Sequence, residues 1–209
     1  MSATAAPVAS DRSDFRTVTV GGAKLGVATA IAVVAFLAAA RLVPVSAGLR
    51  GGVEALIVLA AGLALSFVPA QWTAARGTEG IAGAAAIGLV GTVVFSAIDI
   101  AVLRTFKAYP WTWDAIGGGS TWWYLPIWWM LGTFLAWMGG IVTAAGTAAG
   151  AASGEATLPR RVLPVVAGTI IVAAVARLAG ASVAFPVVTG AAFALVLAAL
   201  ALVALARKG

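Results

Sequence analysis

Long runs without a charged side chain constrain this sequence more than any other feature. Between Asp114 and Glu155 there is no Asp, Glu, Lys or Arg, and residues 25–40 and 178–206 form similar runs. A helix that crosses a bilayer needs about 20 mainly apolar residues. The chain is 62% hydrophobic and 10% charged, whereas soluble domains are about 25% charged. The sequence therefore predicts an all-α polytopic integral membrane protein.

The spacing of the charges predicts a bundle of six transmembrane helices, or five if the first or fifth span is only half inserted. The predicted spans lie near residues 25–46, 52–72, 80–104, 124–149, 162–181 and 184–206. Together they make a single transmembrane domain over residues 25–206. A polar tail over residues 1–24 is expected to be disordered, and residues 207–209 form a basic end.

The distribution of Lys and Arg predicts the orientation. This threading places eight of the 13 basic residues on the side of the two termini and five on the other side. Cytoplasmic loops carry the excess of positive charge, so both termini are expected in the cytoplasm, with the protein in the cell (inner or plasma) membrane. Two alternatives stay open: cleavage of a signal peptide near the small residues 45–48, and a parallel duplication of a helical hairpin.

Seven of the eight Trp residues lie between Tyr109 and Trp137, around the three consecutive glycines 117–119. Trp and Tyr collect at membrane–water boundaries, so we expect an interfacial loop between helices 3 and 4. The alternative is a lid over a cavity, with the glycines as its hinge. The aromatic residues of this loop or lid are Trp111, Trp113, Trp122, Trp123, Tyr124, Trp128 and Trp129.

Small and weakly polar residues recur at helical spacing along the fourth predicted helix. Small side chains let helix backbones approach closely in membranes, and Thr can donate a hydrogen bond to a neighbouring helix. The sequence predicts a helix-packing face there, either within the chain or between copies of it. Its members are Thr133, Gly140, Thr143, Gly146 and Gly150.

Four charged residues fall inside or at the edges of the predicted spans: Arg41, Glu54, Asp99 and Arg177. A charge in lipid costs free energy unless it is paired. We therefore expect these four to form a polar layer beneath the outer interface, with the two arginines facing the two carboxylates. For Asp99 the neighbouring Arg104 is a further candidate partner. Asp99 also shares a helix face with Thr92 and Ser96, a stripe that would suit a hydrated path.

The sequence has no Cys and no His, which removes thiolate chemistry and the commonest general base and metal ligand. No cofactor and no catalytic group are expected, and the net charge of +6 is ascribed to loops rather than to nucleic-acid binding. The favoured function is a non-enzymatic accessory, scaffold or assembly subunit of a membrane complex. Its expected partners are the lipid bilayer and either further copies of the chain or other membrane subunits. The alternative is a small solute or ion transporter or channel, with the polar layer around Asp99 and the Trp-rich lid.

Overall fold

In the computed structural model every regular element of the described residues is a helix. The structure describes residues 11–44, 46–106, 124–153 and 158–207, and that part contains no strand. The helices are α1 Phe15–Leu42, α2 Ala47–Trp72, α3 Thr78–Ile98 with a π-helical turn Asp99–Leu103 at its end, α4 Tyr124–Ser153, α5 Leu158–Leu178 and α6 Phe185–Ala206. All six α-helices are long and apolar enough to cross a membrane, in agreement with the larger of the two predicted counts.

The first helix begins ten residues earlier than the sequence analysis placed it. Asp14 caps it: its carboxylate accepts hydrogen bonds from the Thr17 N–H at 3.1 Å and the Thr17 hydroxyl at 2.6 Å. This cap allows residues 15–24, assigned above to the polar tail, to continue the helix. With 28 residues and a rise of 1.5 Å per residue, α1 is about 42 Å long and exceeds a hydrocarbon core of about 30 Å.

The end of α1 and both ends of α5 can be compared with the local sequence. Helix α1 stops at Leu42, two residues before Pro44, and the residue preceding a proline disfavours helical geometry. Helix α5 starts at Leu158, four residues before its predicted start, and ends in a turn where Gly180 has a φ of 89°. The Ala181 N–H donates to the Ala176 carbonyl at 3.0 Å, the bond that closes a Schellman turn.

Helix α3 lies at the centre of the bundle, between α1 and α4, and α2 packs against α1, α3, α4 and α6. The largest buried cluster joins α2, α4, α5 and α6, with Phe67, Leu135, Val165 and Leu197 among its members. Helix α5 is peripheral, because it packs mainly on α6 and touches α4 only slightly. Helix α6 packs against α2, α4 and α5, so α5 is the helix that lies on the flank of the bundle.

Glycines allow the core helices to approach each other closely. A methyl group at Gly26 of α1 would lie 2.6 Å from the Gly91 carbonyl oxygen of α3. Methyl groups at Gly88 of α3 and at Gly139 of α4 would meet the carbonyl oxygens of Gly132 and Ser66 even more closely. Any side chain at these positions would therefore push two helices apart.

Candidate functional site

The polar stripe of α3 is buried. Thr92, Ser96 and Asp99 expose 2%, 4% and 2% of their surface. The Thr92 hydroxyl donates to the carbonyls of Gly88 and Leu89, both at 3.0 Å, and the Ser96 hydroxyl donates to the Thr92 carbonyl at 2.7 Å. Both hydroxyl hydrogens are therefore committed to the backbone of their own helix, as is common for Ser and Thr inside helices.

Asp99 forms an ion pair with Arg104, one of the candidate partners considered for it. The Arg104 Nε lies 3.2 Å from Asp99 Oδ2, and the Arg104 N–H donates to the Asp99 carbonyl at 2.9 Å. The π-helical turn Asp99–Leu103 accounts for this register, since a π-helix bonds residues five apart. One turn before Asp99, Phe95 packs edge-on against Trp128, with 5.6 Å between the ring centroids.

The other members of the predicted polar layer have different surroundings from those expected. Glu54 forms an ion pair with Arg50, one turn earlier in α2, at 3.0 Å between Nε and Oε1. The Arg177 Nη1 donates to the carbonyls of Ala181 and Val183, at 2.8 and 3.0 Å. Among the described residues, the hydrogen bonds of Arg177 therefore go to the backbone between α5 and α6, and its pairing with a carboxylate stays a prediction. A contact of Arg41, exposed near the end of α1, with either carboxylate stays a prediction.

Each of the two carboxylates forms an ion pair with an arginine of its own helix. A pair along one helix needs no agreement between the rotations of two helices. Asp99 is the more enclosed of the two carboxylates, with 3% of its side chain exposed against 12% for Glu54.

Only part of the aromatic segment can be placed. Trp128 and Trp129 are half-buried in the first turns of α4, and Trp128 packs beside the cluster of Ala30, Phe95 and Leu103. Trp129 Nε1 is buried and has no acceptor within the part of the chain that the structure describes. Four of the predicted aromatic residues lie outside the described residues: Trp111, Trp113, Trp122 and Trp123. The Tyr124 side chain also lies outside them.

Part of the predicted packing face of α4 contacts a neighbouring helix. Thr143 is buried, and a methyl group at Gly140 would lie 3.4 Å from the Ile81 Cα of α3. Thr133 is half-buried, and its hydroxyl donates to the Trp129 carbonyl at 2.7 Å, within α4. At Gly146 the nearest atoms belong to the flexible Arg161 side chain, and the surroundings of Gly150 lie outside the described residues.

The closest contacts of α4 are made instead by Gly132 and Gly139, which the sequence analysis did not single out. Gly132 lies against Thr92 and Gly88 of α3, and Gly139 lies against the Ser66 backbone of α2. These two glycines are seven residues apart and so share one helix face. The spacing of the two glycines could therefore have indicated this packing face from the sequence. The four-residue spacing of Gly22 and Gly26 in α1 is a similar signal.

The N-terminal segment before α1 binds the loop between α2 and α3. Asp11 Oδ2 accepts hydrogen bonds from the N–H groups of Gly77 at 3.0 Å and Gly80 at 2.8 Å, and Oδ1 accepts one from Arg76 at 3.0 Å. Helix α3 starts after Gly77, a residue without a capping side chain, so Asp11 supplies the N-cap from a distant part of the sequence. The Ser13 hydroxyl adds a 2.6 Å bond to Glu79.

These contacts affect the ionisation of Asp11. Burial raises the pKa of its carboxyl, but the backbone N–H groups of Gly80, Gly77 and Arg76 favour the ionised form, and the pKa ends below its ordinary value. The pKa of Asp14 is also lowered, chiefly by the Thr17 hydroxyl. Both carboxylates are therefore ionised at neutral pH and stabilise the helix N-termini that they face.

No protein-family model, curated protein or solved structure matches this chain in comparison. Among the described residues, no group of three or more Asp and Glu side chains converges as a metal site would require. The candidate site is the Asp99–Arg104 pair at the end of α3, where the neighbouring Phe95 and Leu103 pack with Ala30 of α1 and Trp128 of α4.

Proposed function

We propose that the chain is a multi-pass integral membrane protein that acts without catalysis, as an accessory or scaffold subunit of a membrane complex. The observation that supports this proposal is the peripheral position of α5. Only 17% of its candidate span is buried within the chain, against 44% for α3. Its exposed residues include Ile170, Ile171 and Val175, so α5 offers a long apolar surface to another membrane helix.

The packing of the core favours a structural role. Helices α1 to α4 meet backbone to backbone at glycines, and the hydroxyls of the α3 stripe donate within their own helix. A closely packed bundle with α5 exposed on one side suits the assembly of neighbouring subunits. The proposed complex lies in the cell membrane, and further copies of the chain could belong to it.

The N-terminal contact supports the proposed orientation. Asp11 bonds to Arg76 and Gly77, so the segment that carries Arg12 and Arg16 lies at the same end of the bundle as Arg76. These three arginines belong to the basic set that the charge count assigns to the cytoplasm. We propose that this end, with both termini, faces the cytoplasm.

Purification in mild detergent tests the accessory role. The parent should co-purify with other subunits at a fixed stoichiometry, and Val175→Trp on the exposed face of α5 should reduce that yield. Val203→Trp, on an exposed position of α6, is the matched control and should leave it unchanged. A parent that purifies alone from its native membrane contradicts the proposal.

A second candidate, transport of a small solute or ion, is favoured by the buried Asp99 within a π-helical turn. Ionisable residues inside spans and π-helical turns are both frequent at functional sites. If Asp99 carries a proton or cation, Asp99→Asn should abolish flux in liposomes while Glu54→Gln preserves it. Absence of flux for any ion or small solute in the parent contradicts this candidate.

A further inference from the structure

A groove of about 510 Å³ runs along the side of the bundle between α2, α5 and α6. Its walls are apolar side chains, including Leu56 and Leu59 of α2, Ala173 and Ala174 of α5, and Phe185 of α6. Gly48 and Gly52 line the same groove, and a methyl group on either would have no atom within 4 Å. These two glycines therefore face open space, whereas the glycines of the core lie against a neighbouring helix.

The length of the groove matches one leaflet of a bilayer. Its lining on α2 extends from Gly48 to Leu59, which corresponds to about 16 Å at 1.5 Å per residue. Half of a hydrocarbon core of about 30 Å is about 15 Å. The groove starts at the first turn of α2, where the chain enters the proposed membrane span, so it runs from the interface towards the bilayer centre.

A guanidinium lies at the mouth of the groove. The Arg177 Cζ is 5.5 Å from the centroid of the Phe185 ring, and Phe185 lines the groove. The bonds to Ala181 and Val183 hold the guanidinium through Nη1. Its Nε and Nη2 donate no hydrogen bond to the described residues, and the side chain is exposed. A guanidinium with free N–H groups on one edge suits a phosphate, which it can bind through two parallel bonds.

Among the described residues, the other charges near the mouth compensate each other. Arg50 and Glu54, in the first turns of α2, form an ion pair at 3.0 Å. The methyl position of Gly51 lies 3.6 Å from the Phe185 Cβ, so the starts of α2 and α6 are adjacent. Arg177 thus leaves a net positive charge above an apolar groove, the complement of an anionic head with a hydrocarbon tail.

We propose that this groove binds an anionic phospholipid, with one acyl chain between α2 and α5 and the phosphate held by Arg177. The inference rests on the proposed membrane placement but not on the accessory role. A transmembrane helix in the groove would fill its apolar part without compensating Arg177, which is why the charge favours a lipid. Phe185 holds the guanidinium over the groove through its ring face.

The test uses the purified full-length chain reconstituted into vesicles of equal parts phosphatidylcholine and phosphatidylglycerol. After mild release, native mass spectrometry counts the lipids that stay bound. The parent should retain phosphatidylglycerol over phosphatidylcholine by roughly fivefold, the effect of one Arg near an anionic headgroup. Arg177→Gln should bring that ratio close to one. Arg76→Gln, an exposed arginine in the α2–α3 loop, is the matched control and should keep it.

A second variant tests the groove itself. Gly52→Leu has open space for its side chain and should reduce the retention of both lipids. Ala174→Leu fills the groove from α5 and replaces Gly52→Leu if that variant does not fold. Equal retention of the two lipids by the parent, or an unchanged ratio in Arg177→Gln, overturns the proposal. So does a dimer that Gly52→Leu disrupts while lipid composition has no effect, since a second copy then fills the groove.

The same experiment separates this inference from the membrane placement. If the chain does not incorporate into vesicles at all, the placement and the lipid site both fail. If it incorporates and shows no preference for the anionic lipid, only the lipid site fails.

Discussion

Arg104 is bound to Asp99 twice across a single π-helical turn. Its N–H donates to the Asp99 carbonyl at 2.9 Å, and its Nε lies 3.2 Å from Asp99 Oδ2. The backbone register and the ion pair therefore depend on each other: the wider turn aligns residues five apart, and the side-chain bond closes over it. The pair lies at the end of α3, where the Asp99 side chain is almost fully enclosed.

We expect Asp99→Asn to lower the free energy of unfolding by about 3 kcal/mol, because it leaves the Arg104 charge without its carboxylate. That is the low end for breaking a buried pair, since 26% of the Arg104 side chain is exposed. Adding Arg104→Gln should recover part of the loss. Unfolding of the purified variants in detergent measures both effects.

The Arg50–Glu54 pair is the matched control for this prediction. Its side chains are 36% and 12% exposed, and Glu54→Gln should lower the free energy of unfolding by about 0.5 kcal/mol, the usual contribution of a pair four residues apart on one helix. Equal losses from Asp99→Asn and Glu54→Gln would show that burial of the Asp99 pair has no energetic effect.

Asp11→Asn should destabilise the protein by about 1 kcal/mol, the usual contribution of an N-cap. An Asn side chain has one acceptor oxygen, so it cannot accept from Gly77 and Gly80 on one side and from Arg76 on the other. Asp14→Asn is the control and should have a smaller effect, because Asn is as good as Asp at an ordinary N-cap. Thermal unfolding at neutral pH compares the two variants, and equal melting temperatures for the parent and Asp11→Asn would contradict the capping role.

The lowered pKa of Asp11 also predicts a pH dependence. A carboxyl whose pKa is lower in the folded state stabilises the protein fully above its unfolded value, near 3.8. That contribution is lost as the pH falls through the lowered folded value. Between pH 5 and pH 2 the melting temperature of the parent should therefore fall more than that of Asp11→Asn. Parallel pH profiles for the two proteins would show that the Asp11 carboxyl does not titrate differently on folding.

Gly139→Ala should lower the free energy of unfolding by about 1–3 kcal/mol, because its methyl group would meet the Ser66 carbonyl of α2 and force two helices apart. Gly146→Ala is the matched control in the same helix, where the new methyl group meets only the flexible Arg161 side chain at 3.1 Å. The ratio of folded protein to aggregate after detergent extraction should fall for the first variant alone. Equal yields for both would mean that α2 and α4 are not in backbone contact.

The proposed orientation predicts opposite results for two reporter fusions. A reporter joined at Gly209 should be active in the cytoplasm, and one inserted at Gly118 should be active on the other side. An insertion at Gly77, in the loop that Asp11 contacts, should agree with the fusion at Gly209. If Gly209 and Gly118 report the same side, the threading of α3 and α4 is wrong.

The sequence predicted the helices well where the uncharged runs are well bounded. Helices α3 and α6 lie within two residues of their predicted ranges because charges delimit each run, and α2 ends where predicted but begins five residues earlier. Helix α1 begins before its predicted range because hydropathy does not detect the cap formed by Asp14 and Thr17. A polar segment can be helical when its first N–H groups have acceptors.

The contacts of the site could be predicted less well, and the reason is rotational register. Charges such as Arg177 and Glu54 lie near helix ends, so their partners depend on how each helix turns. A single π-helical turn is enough to bring Asp99 to Arg104, and no sequence pattern in residues 99–104 predicts that turn. The close glycines Gly132 and Gly139 likewise depend on which face of α4 meets its neighbours.

The contact of Asp11 with the start of α3 imposes an order on biosynthesis. The carboxylate leaves the ribosome before α1, whereas Gly80, its partner at 2.8 Å, is 69 residues later in the chain. The hairpin of α1 and α2 can bind its leading segment only through Thr73, Arg76 and Gly77 until the third helix begins. A nascent chain that stalls before Gly80 lacks the shortest of the three bonds to Asp11, so the N-terminal segment becomes fully anchored only when α3 has begun.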